Sequence, residues 1–253
     1  MPTVNVSGVN IFYDPGESEP GREQKIVLVH GAGGNSSRWR HQVKALAGDY
    51  SPFALDLPGH GLSGGQPCDQ VFLYREWVKQ FADSLGLKKF VLAGHSMGGA
   101  IALDFALTYQ SCLTGLILVS TGAKLKVDPA RLESYRNGEF RAEWARMSYS
   151  PAAPPELVEK GVEEAMALDP AVRYADFLAC DRFDVMSRLG DIVTPTLVIC
   201  GLDDLATPVN YSRYLAENIA AAKLLLLPGT AHMAMLEQPQ AVNEAICNFL
   251  RAL

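Results

Sequence analysis

Ser96 lies in the stretch Gly94-His95-Ser96-Met97-Gly98-Gly99, directly after the apolar run 90–93 and directly before the helix-forming Ala100-Ile101-Ala102-Leu103. Gly-x-Ser-x-Gly at a strand-to-helix junction suits a nucleophile. A sharp turn lifts the hydroxyl clear of the strand, and the flanking glycines let neighbouring backbone approach closely. The turn also sets Ser96 near a helix N-terminus, whose free N–H groups favour negative charge, and makes the N–H of Met97 a natural donor to an oxyanion. An inert serine in a glycine-rich turn would read the same in five letters. The strand before and the helix after separate the two readings.

A serine hydroxyl is a poor nucleophile at neutral pH and needs a base that a third group orients. Five histidines are available: His30, His41, His60, His95 and His232. His95 adjoins Ser96, but neighbours at a turn point apart, so its expected role is to hold the turn. His30 stands among glycines, His41 in an amphipathic helical pattern and His60 in the loop 56–61. His232 closes Pro228-Gly229-Thr230-Ala231-His232, just past the last strand-like run. That is the sheet edge from which the Ser96 loop also emerges, and open parallel sheets bind ligands there. His232 is therefore the expected base. The acid should come from the neighbouring loop 201–208, where Asp203 and Asp204 stand side by side. Spacing alone does not separate them.

These residues need a scaffold that delivers them to one edge. Short, nearly unbroken apolar runs recur at 26–30, 53–57, 90–94, 116–120, 196–201 and 224–227, the pattern of strands covered on both faces. Helical patterns at 39–46, 71–85, 100–109, 211–219 and 241–253 alternate with them, which implies parallel strands joined by crossover helices. Residues 4–13 read as a hairpin turning at Ser7-Gly8. The alternation stops between about 124 and 191, where only helical patterns occur, at 140–147, after Pro154-Pro155 and at 174–189. An insertion this long suggests a cap over one sheet edge rather than an ordinary connection. The expected fold is α/β: a doubly wound, mostly parallel sheet of about eight strands formed by 1–121 and 191–253, with a helical cap at 122–190.

Composition narrows the function. The net charge of −6 argues against a nucleic-acid binder, which would show a basic face. The cysteines 68, 112, 180, 200 and 247 are odd in number, widely spaced and without a CxxC pair, so they read as reduced packing thiols rather than disulfides or a zinc site. No metal or organic cofactor is implied. The N-terminus shows no basic stretch followed by an apolar core, and no run is long enough to cross a bilayer. The expectation is a cytoplasmic protein without a membrane partner, a monomer or small homo-oligomer.

Five motifs occur in a telling order: HGAGGN at 30–35, DLPGHGLS at 56–63, GHSMGG at 94–99, GLDDLATP at 201–208 and GTAHMAMLEQP at 229–239. With them the chain resembles the α/β-hydrolase superfamily, nearest its small serine esterase and enol-lactonase-like branch. The resemblance implies that the loop after residue 29 supplies the second oxyanion N–H, from Ala32 or, failing that, Gly33. It also implies Asp204 as the acid, with Asp203 as the alternative. Relatives that open epoxides or dehalogenate alkanes carry an aspartate where this chain has Ser96. Carbon–carbon hydrolases often read GNSMGG, with a tryptophan after the final histidine, where this chain has His95 and Met233. The implied activity is hydrolysis of a small carboxylic ester or lactone, the alternatives being a carbon–carbon hydrolase or a ligand-binding receptor on the same fold. Phe140, Trp144, Met147 and Met233 are the expected substrate-binding residues. Cap core is the competing role for the first three.

Overall fold

The computed structural model describes residues 2–17 and 24–253. Strands β1 (Thr3–Val6) and β2 (Val9–Asp14) form the hairpin. Ser7 and Gly8 between them both have positive φ, 51° and 88°, as a two-residue turn between twisted strands requires. The remaining strands are β3 (Lys25–Val29), β4 (Ser51–Leu55), β5 (Phe90–His95), β6 (Leu113–Val119), β7 (Thr196–Gly201) and β8 (Ala222–Leu227). The sheet order is β1-β2-β4-β3-β5-β6-β7-β8. β3 to β8 pair in parallel, and β2 joins β4 antiparallel. This is the eight-stranded, mostly parallel sheet expected from the sequence.

Burial on both faces explains the unbroken apolar strands. Val27 and Val29 of β3 face one layer, where α2 (Val71–Ser84), α3 (Met97–Tyr109) and α8 (Val209–Asn218) pack. Ile26 and Leu28 face the other, against α1 (Arg40–Leu46), α9 (Ala234–Glu237) and α10 (Pro239–Leu250). Parallel register aligns the strand ends: Val29 pairs with Gly94, Gly94 with Leu118, and Val119 with Ile199. The loops after β3, β5, β6, β7 and β8 therefore leave along one edge.

Between β6 and β7 lie α4 (Pro129–Arg136), α5 (Ala142–Arg146), α6 (Pro155–Met166) and α7 (Pro170–Asp181). Tyr135 of α4 meets Phe177 of α7 with ring centroids 4.7 Å apart, and Arg146 of α5 pairs with Glu159 of α6. The helix expected over 174–189 starts earlier and stops at Asp181. Asp169 caps it by accepting the Ala171 N–H, and Pro170 supplies the first-turn φ. After Asp181 the chain turns, and a short 3₁₀ segment follows at Met186–Asp191. α4 gave no periodic signal because Tyr135 is its one buried residue. Among the described residues no helix is long and apolar enough to cross a membrane.

Candidate active site

The turn after β5 is strained where the glycine pattern predicts. Ser96 has φ 53° and ψ −116°, a left-handed conformation costly for a residue with a Cβ. A Cβ on Gly94 would collide with the Gly98 backbone, and one on Gly98 would collide with the Val29 and His30 carbonyls. Four backbone-directed bonds fix the turn. The Ser96 N–H donates to Val119 O at 3.0 Å, and its carbonyl accepts from the Gly99 and Ala100 N–H groups and the Thr121 hydroxyl.

The loop 30–34 lies against this turn: a Cβ on Gly31 would stand 3.1 Å from the Ser96 Cβ. Its shape is held by His30, whose Nδ1–H donates to Gly31 O at 2.8 Å while Nε2 accepts the Leu57 N–H at 3.1 Å. Burial holds the His30 pKa well below the ordinary histidine value, consistent with this neutral tautomer. The Gly33 N–H is already committed, donating to Asp176 Oδ2 at 2.7 Å. Gly33 is thereby removed as an oxyanion donor, whereas the Ala32 and Met97 N–H groups have no protein acceptor among the described residues.

His232 and Asp204 meet across the β7 and β8 loops. His232 Nδ1 lies 2.9 Å from Asp204 Oδ2 and 3.1 Å from Oδ1, and both residues are buried. Burial alone would raise the Asp204 pKa, but His232 and the hydrogen bonds from Thr207 overcome it and lower the value to about 2. An ionised Asp204 only accepts, so Nδ1 carries the proton, and it is on Nε2 that the neutral imidazole has its lone pair. Asp203 points elsewhere: exposed, it accepts the Ser150 hydroxyl at 2.9 Å. His95 donates Nε2–H to the His232 carbonyl at 2.9 Å. Burial and the nearby His232 lower its pKa to about 3, so it stays neutral.

Three supporting residues escaped the sequence reading. Asp176 of α7 is fully buried and accepts from Gly33, from Tyr74 Oη at 2.5 Å and from His60 Nε2 at 2.8 Å. Its signal was a carboxylate on the helix face that also carries Val172, Ala179 and Cys180. Burial opposes a charge on His60, but Asp176 outweighs it and raises the pKa. Glu237 of α9 gathers the N–H groups of Ser150, Ala231 and Met233. The Ser148 carbonyl accepts from the His232 and Met233 N–H groups at 3.1 and 3.3 Å.

A cavity of about 360 Å³ lies between the sheet-edge loops and α4–α7, and both Ser96 and His232 line it. Ala32, Phe140, Trp144 and Met233 line it too. Met147 does not. It is 46% exposed because α5 ends beside it and the chain turns there, carrying Ser148 and Tyr149 inward instead.

The profile of the Alpha/beta hydrolase family matches residues 26–245. RutD of Rhizobium rhizogenes, named as a carbamate hydrolase, is 34% identical over 90% of this chain and 92% of its own. The structure of a thermophilic esterase superposes with a TM-score of 0.87 at 32% identity, covering 99% of this chain and 97% of that one. The enol-lactonase from Burkholderia xenovorans LB400 shares the fold, with a TM-score of 0.91 at 24% identity, covering 99% of this chain and all of its own. The chain belongs to the alpha/beta hydrolase family.

Proposed function

We propose that this protein is a serine hydrolase that cleaves a small carboxylic ester or lactone through an acyl-enzyme. The observation that carries this reading is the buried Asp204–His232 pair, whose histidine lines one cavity with the strained Ser96. In this mechanism Ser96 Oγ adds to the substrate carbonyl carbon while His232 Nε2 takes its proton. The oxyanion that forms accepts from the N–H groups of Met97 and Ala32. Collapse expels the alcohol, which receives the proton from His232, and a water activated by the same base then hydrolyses the acyl-enzyme.

p-Nitrophenyl esters of graded chain length test the reading together with a fluorophosphonate probe. Ser96→Ala should lower turnover by roughly 10⁴- to 10⁶-fold and abolish labelling while leaving the melting temperature near wild type. Activity within tenfold of wild type would remove Ser96 from the reaction. Preferential cleavage of a vinylogous diketone would point to carbon–carbon chemistry, and preferential cleavage of a phenyl carbamate would move the substrate class towards that of RutD's name. Saturable ligand binding without turnover would make the fold a receptor.

A further inference from the structure

The chain as a whole is acidic, with 28 Asp and Glu against 22 Lys and Arg. The cavity beside Ser96 is the reverse: Arg38, Lys126, Arg131 and Arg173 line it against one carboxylate, Asp128. Two of these cations have partners, Arg38 with Glu164 at 2.9 Å and Lys126 with Asp181 at 3.1 Å. Asp128 caps α4 by accepting the Arg131 N–H. Arg173 stands apart. It is 4% exposed, and among the described residues no carboxylate lies within ion-pair distance of it. Nη2 donates to the Ala165 and Leu168 carbonyls, where α6 ends, and the guanidinium carbon sits 3.6 Å from the Phe140 ring centroid. A guanidinium carries five N–H donors. The Nε–H and both N–H groups of Nη1 have no protein acceptor among the described residues.

Buried charges are normally paired, because an uncompensated one is costly to desolvate. A guanidinium clamped by carbonyls and a ring, yet left without a counter-ion in a substrate-sized cavity, is arranged for an anion that arrives from outside. Arg131 adds to the positive field at the same end: both arginines act on the Tyr135 hydroxyl, and Arg131 lies over Trp144 at 5.1 Å.

We propose that Arg173 is the docking point for a free carboxylate on the substrate, so that the substrate is an acidic ester or lactone with its second carboxylate away from the scissile carbonyl. This rests on the serine-hydrolase reading of Ser96 and names its substrate class. Phe140 and Trp144 then flank the hydrocarbon that joins the two ends, and the fixed Arg173 sets its length.

Matched substrates test the proposal. Mono-p-nitrophenyl adipate and p-nitrophenyl heptanoate differ in carrying a terminal carboxylate or an ethyl group. Wild type is expected to favour the adipate ester about 10-fold or more in kcat/KM, the scale of one charge-assisted contact. Arg173→Met should erase that preference by raising KM for the adipate ester about 10- to 100-fold, with less than about threefold change on the heptanoate. Arg173→Lys, which keeps the charge but loses the fork, should retain part of it. A wild type indifferent to the carboxylate, or a folded Arg173→Met that loses equally on both esters, overturns the proposal. The wild-type comparison stands even if the variant does not fold. Calorimetric titration of monomethyl adipate into Ser96→Ala, with and without Arg173→Met, separates this idea from the hydrolase reading. Binding abolished by the second substitution supports the carboxylate site even where wild type hydrolyses neither ester. Binding that ignores Arg173, or no binding to either protein, removes the site and leaves Ser96 untouched.

Discussion

Asp204 is turned inward by its own loop. Oδ1 accepts the N–H groups of Ala206 and Thr207, and Oδ2 accepts the Thr207 hydroxyl, so the carboxylate is fixed before His232 reaches it. An amide at this position would place N–H groups among donors and could stabilise the wrong imidazole tautomer. Asp204→Asn should therefore lower turnover by about 10⁴-fold, while Asp203→Asn stays within about tenfold of wild type. Steady-state kinetics of both variants on one ester decide the point. The same carboxylate makes the fold acid-sensitive. Its folded pKa of about 2 lies below the ordinary 3.8, so between those values the unfolded chain binds more protons than the folded one. The stabilisation is complete above about pH 4 to 5 and drains away as pH falls through about 2. Urea unfolding from about pH 5 to pH 2 should show a shallower loss of stability in Asp204→Asn than in wild type. None of this separates two adjacent aspartates in a sequence, because Thr207, three residues on, decides which one faces inward.

At the scale of elements, local chemistry was the legible part. The β5–α3 turn demands glycines at fixed offsets, and strands covered on both faces read as unbroken apolar runs. The contacts between distant segments were not legible. Asp176 joins α7 to the loop 30–34 across 143 residues, and nothing near it in sequence names its partner. By accepting the Gly33 N–H it fixes the peptide next to Ala32, and so acts on the proposed oxyanion donor through the backbone. Asp176→Asn disturbs the acceptor shared by Gly33, His60 and Tyr74. We expect kcat to fall by about 10-fold or more with KM changed less than about threefold, somewhat less than the loss of an oxyanion donor outright. A KM rise at constant kcat would place Asp176 in binding instead. Met147, expected to bind substrate, shows the same limit: α5 ends at Arg146, and the turn that follows leaves Met147 exposed.

For the whole molecule, the decisive feature is how many threads tie α4–α7 to the sheet edge. Asp176 holds Gly33, His60 and Tyr74; the Ser148 carbonyl holds the His232 loop; Glu164 pairs with Arg38; Ser150 donates its N–H to Glu237. These ties lie on both sides of Ser96, and two of them end on the backbone beside the proposed base and the proposed oxyanion donor. Swinging such a cover open would dismantle the groups it covers. An enzyme of this build gains nothing from meeting an oil–water interface, where a hinged lid would be drawn aside to expose a greasy mouth. With p-nitrophenyl butyrate raised through its solubility limit, the rate should saturate smoothly and show no jump when emulsion droplets form. A sharp rise at that point would mean that the threads part readily and that the cover is a gate after all.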